Sequence, residues 1–200
     1  MKTHTSRSLT RKGFTLVELL VVVAIIAVLA GLGLSVAKMA KDRANDVTAK
    51  AAIGKLGSAI EAYFDKYHEL PLSEGETTDT EKRTDNELMG PLCGLESSKD
   101  QNPYQISFFE FKGAKGSGND KYGGLDRSQT EAQLYGPWRT RNVNDRYYQV
   151  IFNYDYNDNI EVPTNLGSDT VYGVKFLIYS YGKDGKIGQE NNQDNVYGWK

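Results

Sequence analysis

Hydrophobic and polar positions divide the chain into a continuous apolar run, an amphipathic stretch and a mixed body. From Phe14 to Ala37 the only charged residue is Glu18. At about 1.5 Å per residue, this run gives a helix of roughly 36 Å, which exceeds the roughly 30 Å of a bilayer's hydrocarbon core. Residues 14–37 are therefore predicted to form a membrane-spanning helix.

Beyond Ala37 the pattern changes to one apolar face among charged positions. Apolar residues recur at helical spacing, and Pro71 ends the pattern. The recurring positions are Ile53, Leu56, Ile60, Tyr63, Phe64 and Tyr67. We predict one helix from about Phe14 to Tyr67, with an amphipathic half in residues 38–71 that packs on a sheet. Gly54 and Gly57 are candidates for close approach to that sheet.

Residues 72–200 are predicted to form a globular domain. The polar segment 72–103 is expected to be a surface loop or a partly ordered insertion, and 113–124 a glycine-rich loop without a phosphate-binding motif. Segments 102–111, 146–156 and 171–181 are rich in aromatic and β-branched residues, which is typical of strands. A turn is expected at 157–159. The predicted fold class is α+β: a long N-terminal helix packed on a small antiparallel sheet, with an irregular C-terminal loop.

The charge is unevenly distributed along a chain with a formal net charge of −2. Residues 1–13 carry four cations and no acid, so the rest has 20 Lys and Arg against 26 Asp and Glu. An acidic body with a basic leader argues against general nucleic-acid binding. Cys93 is the only cysteine, which excludes an intramolecular disulfide and favours a packed side chain. Two histidines exclude a metal site built on several histidines.

The apolar run has several possible functions, and Gly13 and Glu18 distinguish between them. A cleaved secretory signal has a shorter apolar region followed by a small-residue cleavage site, whereas here Gly13 precedes the run. A plain membrane anchor fits the length but leaves Glu18 unexplained. A charge at the centre of a membrane helix costs roughly 2.5–3.5 kcal/mol. Glu18 lies near the cytoplasmic end of the run, so its cost is expected to be smaller, and an ionisable residue inside a membrane span indicates function. The alternative is a carboxylate that snorkels to the interface or is neutral.

The stretch KGFTLVELLVVVAII resembles the class III signal of type IV pilins and type II secretion pseudopilins. The resemblance implies that prepilin peptidase removes residues 1–13 by cutting between Gly13 and Phe14, and then methylates the amine of Phe14. It also implies that Glu18 pairs with the N-terminus of an assembled neighbour. Physically, that pairing compensates a carboxylate that would otherwise be costly in the membrane. Many relatives have a proline at the position of Ser35; here Gly31 and Gly33 weaken the helix instead.

The C-terminal stretch SYGKDGKIGQENNQDNVYGWK resembles the calcium loop of the major, G-type pseudopilin. Ser180, Gly182, Asp184 and Gly185 match the start of that loop, and Trp199 matches its end. The resemblance implies a calcium ion bound by Asp184 and, if the register shifts by one residue, by Asp194. Glu190 offers another carboxylate, whereas the spacing does not match an EF-hand. The alternative is a turn held by side-chain amides and glycines. Gly136, Pro137 and Trp138 partially match a further pseudopilin segment.

The resemblance implies a structural subunit, not an enzyme, in a type II secretion pseudopilus that drives export of folded proteins. The partners would be other copies in a homo-oligomeric filament, prepilin peptidase, minor pseudopilins and the inner-membrane assembly platform. The chain would cross the inner membrane once, with the leader cytoplasmic and the C-terminal domain periplasmic.

Other functions are weighed against this one. Within the family, the alternative is a type IV pilus subunit for adhesion, twitching or DNA uptake. A membrane-anchored enzyme would need a Cys93–His68 pair, which no local motif supports. An anchored sugar-binding domain is a further alternative. Arg139, Arg141 and Arg146 with nearby tyrosines would suit single-stranded nucleic acid, but packing and local salt bridges are favoured for them.

Overall fold

A computed structural model describes residues 13–167, 170–186 and 194–199. The chain divides into two compact units, with the boundary between Arg43 and Ala44. Helix α1 spans Leu16–Tyr67, which confirms the predicted long helix. In the first unit, the apolar side chains from Phe14 to Leu29 are all exposed. Among the described residues, α1 is the one helix long and apolar enough to cross a membrane.

In the second unit, the remainder of α1 buries the predicted apolar stripe. Ile53, Leu56, Ile60 and Tyr63 belong to a hydrophobic core in which each is at most 5% exposed. A Cβ on Gly57 would lie 3.5 Å from the Phe176 ring, whereas one on Gly54 would contact nothing within 4 Å. Gly57 therefore faces the sheet at ordinary contact distance, and the prediction for Gly54 is wrong.

The main sheet has four antiparallel strands in the order β1-β4-β7-β8. These strands are β1 (Thr80–Arg83), β4 (Gln149–Phe152), β7 (Phe176–Ser180) and β8 (Val196–Tyr197). Thr80 lies opposite Phe152, which in turn lies opposite Phe176. Two hairpins accompany the sheet: β2 (Gly124–Arg127) with β3 (Ala132–Tyr135), and β5 (Asn159–Glu161) with β6 (Thr170–Tyr172). The α+β fold class is confirmed.

Alternating residues of β4 and β7 face two different cores. Val150 and Ile178 belong to the core that contains α1. Ile151 and Leu177 point to the opposite face, where they form a second core with residues that include Ile160. The sheet is buried on both faces at its centre: all four residues of β4 are buried, and those from Val150 to Phe152 are apolar.

The prediction of a loop over 72–103 is wrong. This segment contributes the edge strand β1 and the helix α2 (Asn86–Cys93). The side chain of Asp85 accepts a hydrogen bond from the backbone N–H of Glu87 at the helix start, and Gly94 ends the helix in a left-handed conformation. All residues from Leu88 to Cys93 are buried. The sequence of β1, TEKR, lacks the apolar pattern that predicts a strand, because an edge strand tolerates charged residues.

The predicted strand at 102–111 is also wrong. No strand is assigned to it, and the backbone N–H groups of Phe108 and Phe109 both donate to the carbonyl of Leu92 at the end of α2. The segment therefore covers α2 rather than extending the sheet. The strand predicted at 146–156 is shorter than expected, and 171–181 forms parts of β6 and β7.

Smaller elements connect these parts. The expected turn at 157–159 is confirmed: Asp155 accepts a hydrogen bond from the N–H of Asn157, whose side chain accepts one from Asn159. Single 3₁₀ turns occur at Glu96–Ser98, Gly118–Asp120 and Val143–Arg146. The C-terminal loop is not irregular throughout, because β8 joins it to β7.

Candidate functional site

The N-terminal candidate site is the start of α1, where Thr15 caps the helix. The backbone N–H and the hydroxyl of Thr15 each donate to Glu18 Oε2 at 2.8 Å. In return, the backbone N–H of Glu18 donates to Thr15 Oγ1 at 3.2 Å. This reciprocal arrangement is a capping box, which satisfies backbone donors that the first helical turn leaves unpaired.

The capping box changes the expectation for Glu18. The sequence predicts that the cost of the Glu18 carboxylate in the membrane is offset only in an assembled filament. In the structure, Thr15 already donates two hydrogen bonds to this carboxylate within the same chain. These bonds bring no positive charge, so the charge itself remains to be paired in a low-dielectric medium. Sequence reasoning missed Thr15, although a threonine three residues before a glutamate at a helix start is a recognisable capping signal.

Gly13 and Phe14 lie immediately before this capped turn. Both are exposed and precede the helix, so the backbone between them is not held in regular structure. A peptide bond must be in extended, accessible backbone for a protease to reach it. Processing at this bond stays a prediction, and the geometry is compatible with it.

The C-terminal candidate site is a turn that joins β7 to the end of the chain. Asp194 Oδ2 accepts hydrogen bonds from the backbone N–H groups of Lys183, at 2.7 Å, and Asp184, at 2.9 Å. Asp184 Oδ1 accepts one from the N–H of Lys186 at 2.9 Å. The structure thus brings the two predicted residues together, with Asp194 closing the turn that contains Asp184.

Gly182 is required for this closure. Its φ is +72°, and a Cβ there would lie 2.2 Å from the carbonyl oxygen of Asp194. Only glycine accommodates both the left-handed backbone and this close approach. The resemblance at Ser180, Gly182 and Asp184 therefore corresponds to a physical requirement of the turn.

The oxygen donors of the turn fit calcium in part. Calcium takes six to eight oxygen ligands from carboxylates, amides and carbonyls. Within the described residues, no three His, Cys, Asp or Glu side chains form a metal-binding group. One oxygen of each aspartate is engaged by backbone N–H groups, so the second oxygen of each and nearby carbonyls are the donors on offer. Glu190 lies outside the described residues.

Asp145 was not predicted, yet it lies beside this turn. A Cβ on Gly185 would lie 3.2 Å from Asp145 Oδ2 and 2.9 Å from Thr140 Cγ2. Burial raises the pKa of Asp145, opposed by Arg146 and by a hydrogen bond from Asn142. Nothing local in the sequence marks Asp145, because its proximity depends on the packing of residues about 40 positions apart.

Two of the three candidate nucleic-acid-binding arginines are used within the fold. The Arg139 guanidinium forms an ion pair with Asp120. Arg146 is buried and donates to the carbonyl oxygens of Thr140, at 2.9 Å, and Asn119, at 2.8 Å. Packing and local pairing are confirmed for these two residues. Trp138 nearby is also buried.

Cys93 is fully buried at the end of α2, as predicted. Its thiol points to the carbonyl of Phe109, with the sulfur 3.9 Å from that oxygen. Burial raises the pKa of the Cys93 thiol to about 11. A nucleophilic cysteine needs a lowered pKa, so its environment is the opposite of the one that the Cys93–His68 hypothesis requires.

Comparison with known proteins identifies the N-terminal site. Residues 9–34 match the family model described as the prokaryotic N-terminal methylation motif. This match includes Gly13, Phe14, Thr15 and Glu18. No curated protein and no solved structure matches the chain.

The matched segment is the leader type of type IV pilins and pseudopilins, so it supports a pilin-like protein. It implies processing by prepilin peptidase and assembly into pilus-like filaments, and the motif's family is structural rather than enzymatic. Together with the apolar helix it is consistent with a single-pass membrane anchor. The motif is common to pili and pseudopili and does not distinguish between them.

Proposed function

We propose that this chain is a structural subunit of a type II secretion pseudopilus. The observation that supports a filament subunit is the start of α1: an exposed Gly13–Phe14 junction leads into a capped, membrane-length apolar helix that holds Glu18 in its first turn. The choice of a secretion pseudopilus over a surface pilus rests on the C-terminal turn. Removal of residues 1–13 leaves a positive amine on Phe14 in the membrane. Glu18 of an incoming subunit supplies the opposite charge, which stabilises the pair where water is excluded.

The assembled helices form the filament core, and the folded domain covers its surface. The apolar side chains of α1 from Leu16 to Leu29 are all exposed, so within the described part of the chain no other segment covers them. They are buried by lipid before assembly and by neighbouring helices afterwards. Growth of the filament from the inner membrane pushes folded proteins outward, with energy from a cytoplasmic ATPase of the assembly platform rather than from this chain.

The C-terminal turn favours a pseudopilus over a surface pilus. We propose that the remaining oxygens of Asp184 and Asp194, with backbone carbonyls, hold a calcium ion. When bound, calcium would supply a positive charge between the carboxylates of Asp184, which follows β7, and Asp194, which precedes β8. The residues of this chain already close that turn through the N–H groups donated to Asp194, so the ion adds to an existing geometry.

Deletion of the gene tests which filament the chain builds. The proposal predicts that exported proteins disappear from the medium while surface fibres remain, and that the wild-type gene restores secretion. Loss of fibres, twitching or DNA uptake with intact secretion would identify a type IV pilus subunit instead. A membrane-anchored domain of another class would leave both secretion and fibres unchanged.

A further inference from the structure

A short run of positive charge directly follows the apolar segment of α1. Lys38 is the first residue after the run that ends at Ala37, and Lys41 and Arg43 follow within five positions. All three lie on α1 in the first compact unit, and all three are exposed. We call Lys38, Lys41 and Arg43 the basic collar.

The charges of the basic collar are not compensated inside the chain. Within the described residues, none of its three side chains forms an ion pair. One acid, Asp42, lies among the three cations, so positions 38–43 carry a net charge of +2. The fold therefore leaves this positive charge to a partner outside the chain.

The length of the apolar run sets the depth of the basic collar in a membrane. At about 1.5 Å per residue, residues 14–37 cover roughly 36 Å, slightly more than the hydrocarbon core of a bilayer. The helix continues without a break from Lys38 to Arg43, which adds about 7.5 Å. The headgroup region on each side of the core is about 5–8 Å thick. In the proposed anchor, the collar therefore lies among the headgroups on the exported side.

The orientation of the chain does not account for cations at this position. Lys and Arg that orient a membrane helix concentrate on its cytoplasmic side, where this chain has the four cations of residues 1–13. Cations on the exported side weaken that bias. Removal of residues 1–13 also takes the leader's cations away, which leaves the basic collar and the new amine of Phe14 as the positive charges that border the apolar run.

We propose that the basic collar binds anionic phospholipid headgroups on the exported face of the membrane. This inference rests on the membrane anchor of the proposed function. Ammonium and guanidinium groups donate charge-assisted hydrogen bonds to phosphate oxygens, and their methylene stems pack against the apolar core. Headgroups surround the collar as soon as α1 is inserted, whereas acidic residues of another copy reach it only on assembly. The lipid contacts hold the subunit in the membrane and have to break when a filament extracts it.

Native mass spectrometry of the full-length chain in nonionic detergent tests the lipid preference. The chain is incubated with equal amounts of phosphatidylglycerol and phosphatidylcholine that carry the same acyl chains. We expect at least about fivefold more phosphatidylglycerol adducts, since each Lys or Arg near an anionic surface adds about fivefold in affinity. Equal numbers of the two adducts would overturn the proposal.

The triple variant Lys38→Gln, Lys41→Gln, Arg43→Gln locates the preference. It should lose at least about fivefold of the phosphatidylglycerol excess, because it removes every cation of the basic collar. The leader's cations remain in this variant, so the loss reports the collar alone. An excess as large as that of the wild type would assign the preference to the leader and contradict the proposal.

A matched control removes the same number of exposed cations from the second compact unit. In Lys112→Gln, Lys115→Gln, Arg141→Gln the net charge changes by the same amount, but the basic collar is intact. This variant should keep the phosphatidylglycerol excess of the wild type. Equal losses in the two triple variants would mean that general surface charge, not the collar, attracts the lipid.

Alkaline carbonate extraction of native membranes separates this inference from the proposed anchor. Release of the wild-type chain would overturn the anchor and the lipid binding together. Retention in the membrane without a collar-dependent lipid preference would overturn the lipid binding alone. If the collar variant keeps its lipid adducts but fails to enter filaments, the partner of the collar is another subunit and not the membrane surface.

Discussion

Thr15 and Glu18 hold each other at the first turn of α1 through hydrogen bonds in both directions. The proposal therefore gives Glu18 two separable roles. Its oxygen accepts from the N–H of Thr15 within the subunit, and in the proposed filament its charge would pair with the amine of a neighbour. The two roles respond differently to substitution, because glutamine can also occupy this position of a capping box.

Glu18→Gln keeps the cap and removes the charge. We predict that this variant is processed and inserted normally but enters filaments at least about tenfold less than the wild type, since breaking a buried ion pair costs about 3–5 kcal/mol. The measurement is the fraction of the chain recovered in isolated filaments. Glu18→Ala, which loses both roles, is the comparison. If Glu18→Gln assembles normally and only Glu18→Ala fails, capping rather than charge pairing is the function of Glu18.

Asp194 supports a test of the calcium proposal. Calcium should raise the midpoint of thermal unfolding of the full-length chain in detergent, by the equivalent of about 2.7 kcal/mol at a hundredfold excess over the dissociation constant. In Asp194→Asn, the amide oxygen can still accept from the N–H groups of Lys183 and Asp184, but the charge is lost. This variant should therefore fold and respond little to calcium. An unchanged wild-type midpoint at millimolar calcium would contradict the proposed ion.

Thr84 provides a test of the fold away from both sites. It is fully buried, its hydroxyl donates to the carbonyl of Leu134 at 2.7 Å, and it accepts from the N–H of Tyr148 at 3.0 Å. Thr84→Val should lower the free energy of unfolding by about 1–3 kcal/mol, because it leaves buried backbone groups with fewer partners. Urea unfolding in detergent measures the loss. Thr84→Ser keeps the hydroxyl, and equal stability of the two variants would refute the role of these bonds.

Because the thiol of Cys93 is buried, we predict that the free energy of unfolding decreases at alkaline pH. The pKa of its thiol rises from the usual value of 9.0 to about 11 in the folded chain. The folded state therefore binds the thiol proton more tightly than the unfolded state, and stability falls as pH rises through that interval. Cys93→Ala should show a smaller fall between pH 9 and pH 11, measured by urea unfolding. A native thiol that reacts with iodoacetamide as fast as an unfolded one would show that the burial is wrong.

Local sequence patterns correctly predicted those elements whose structure follows from their own apolar and polar residues. The helical spacing of Ile53, Leu56 and Ile60 predicted the buried face of α1, and the apolar runs around β4 and β7 predicted the centre of the sheet. The same reasoning failed for β1 and α2. An edge strand of charged residues lacks an apolar pattern, and α2 contains Pro91, which ordinarily argues against a helix interior.

The candidate sites show the same difference between residues that a local pattern identifies and residues that only the fold brings together. Gly13, Phe14 and Glu18 lie within one short stretch of the sequence, so a short motif could identify them. Asp145 lies near Gly185 because β4, which follows Asp145, pairs with β7, which precedes Gly185, and no local pattern records that contact. The cleft at the C-terminal end of α1 combines residues from Tyr63 to Tyr156, which the sequence separates by more than 90 positions, so no local pattern predicts it.

The N-terminus of the chain isolated from its native membrane tests the central claim most directly. Mass spectrometry should show that the mature protein begins at Phe14, carries a methyl group on that amine and retains the whole of α1. This result would establish that Gly13–Phe14 joins a removable leader to a filament-forming helix. A chain that still begins at Met1, or one cut after the apolar run so that α1 loses its membrane half, would contradict the assignment to a pilin-like filament.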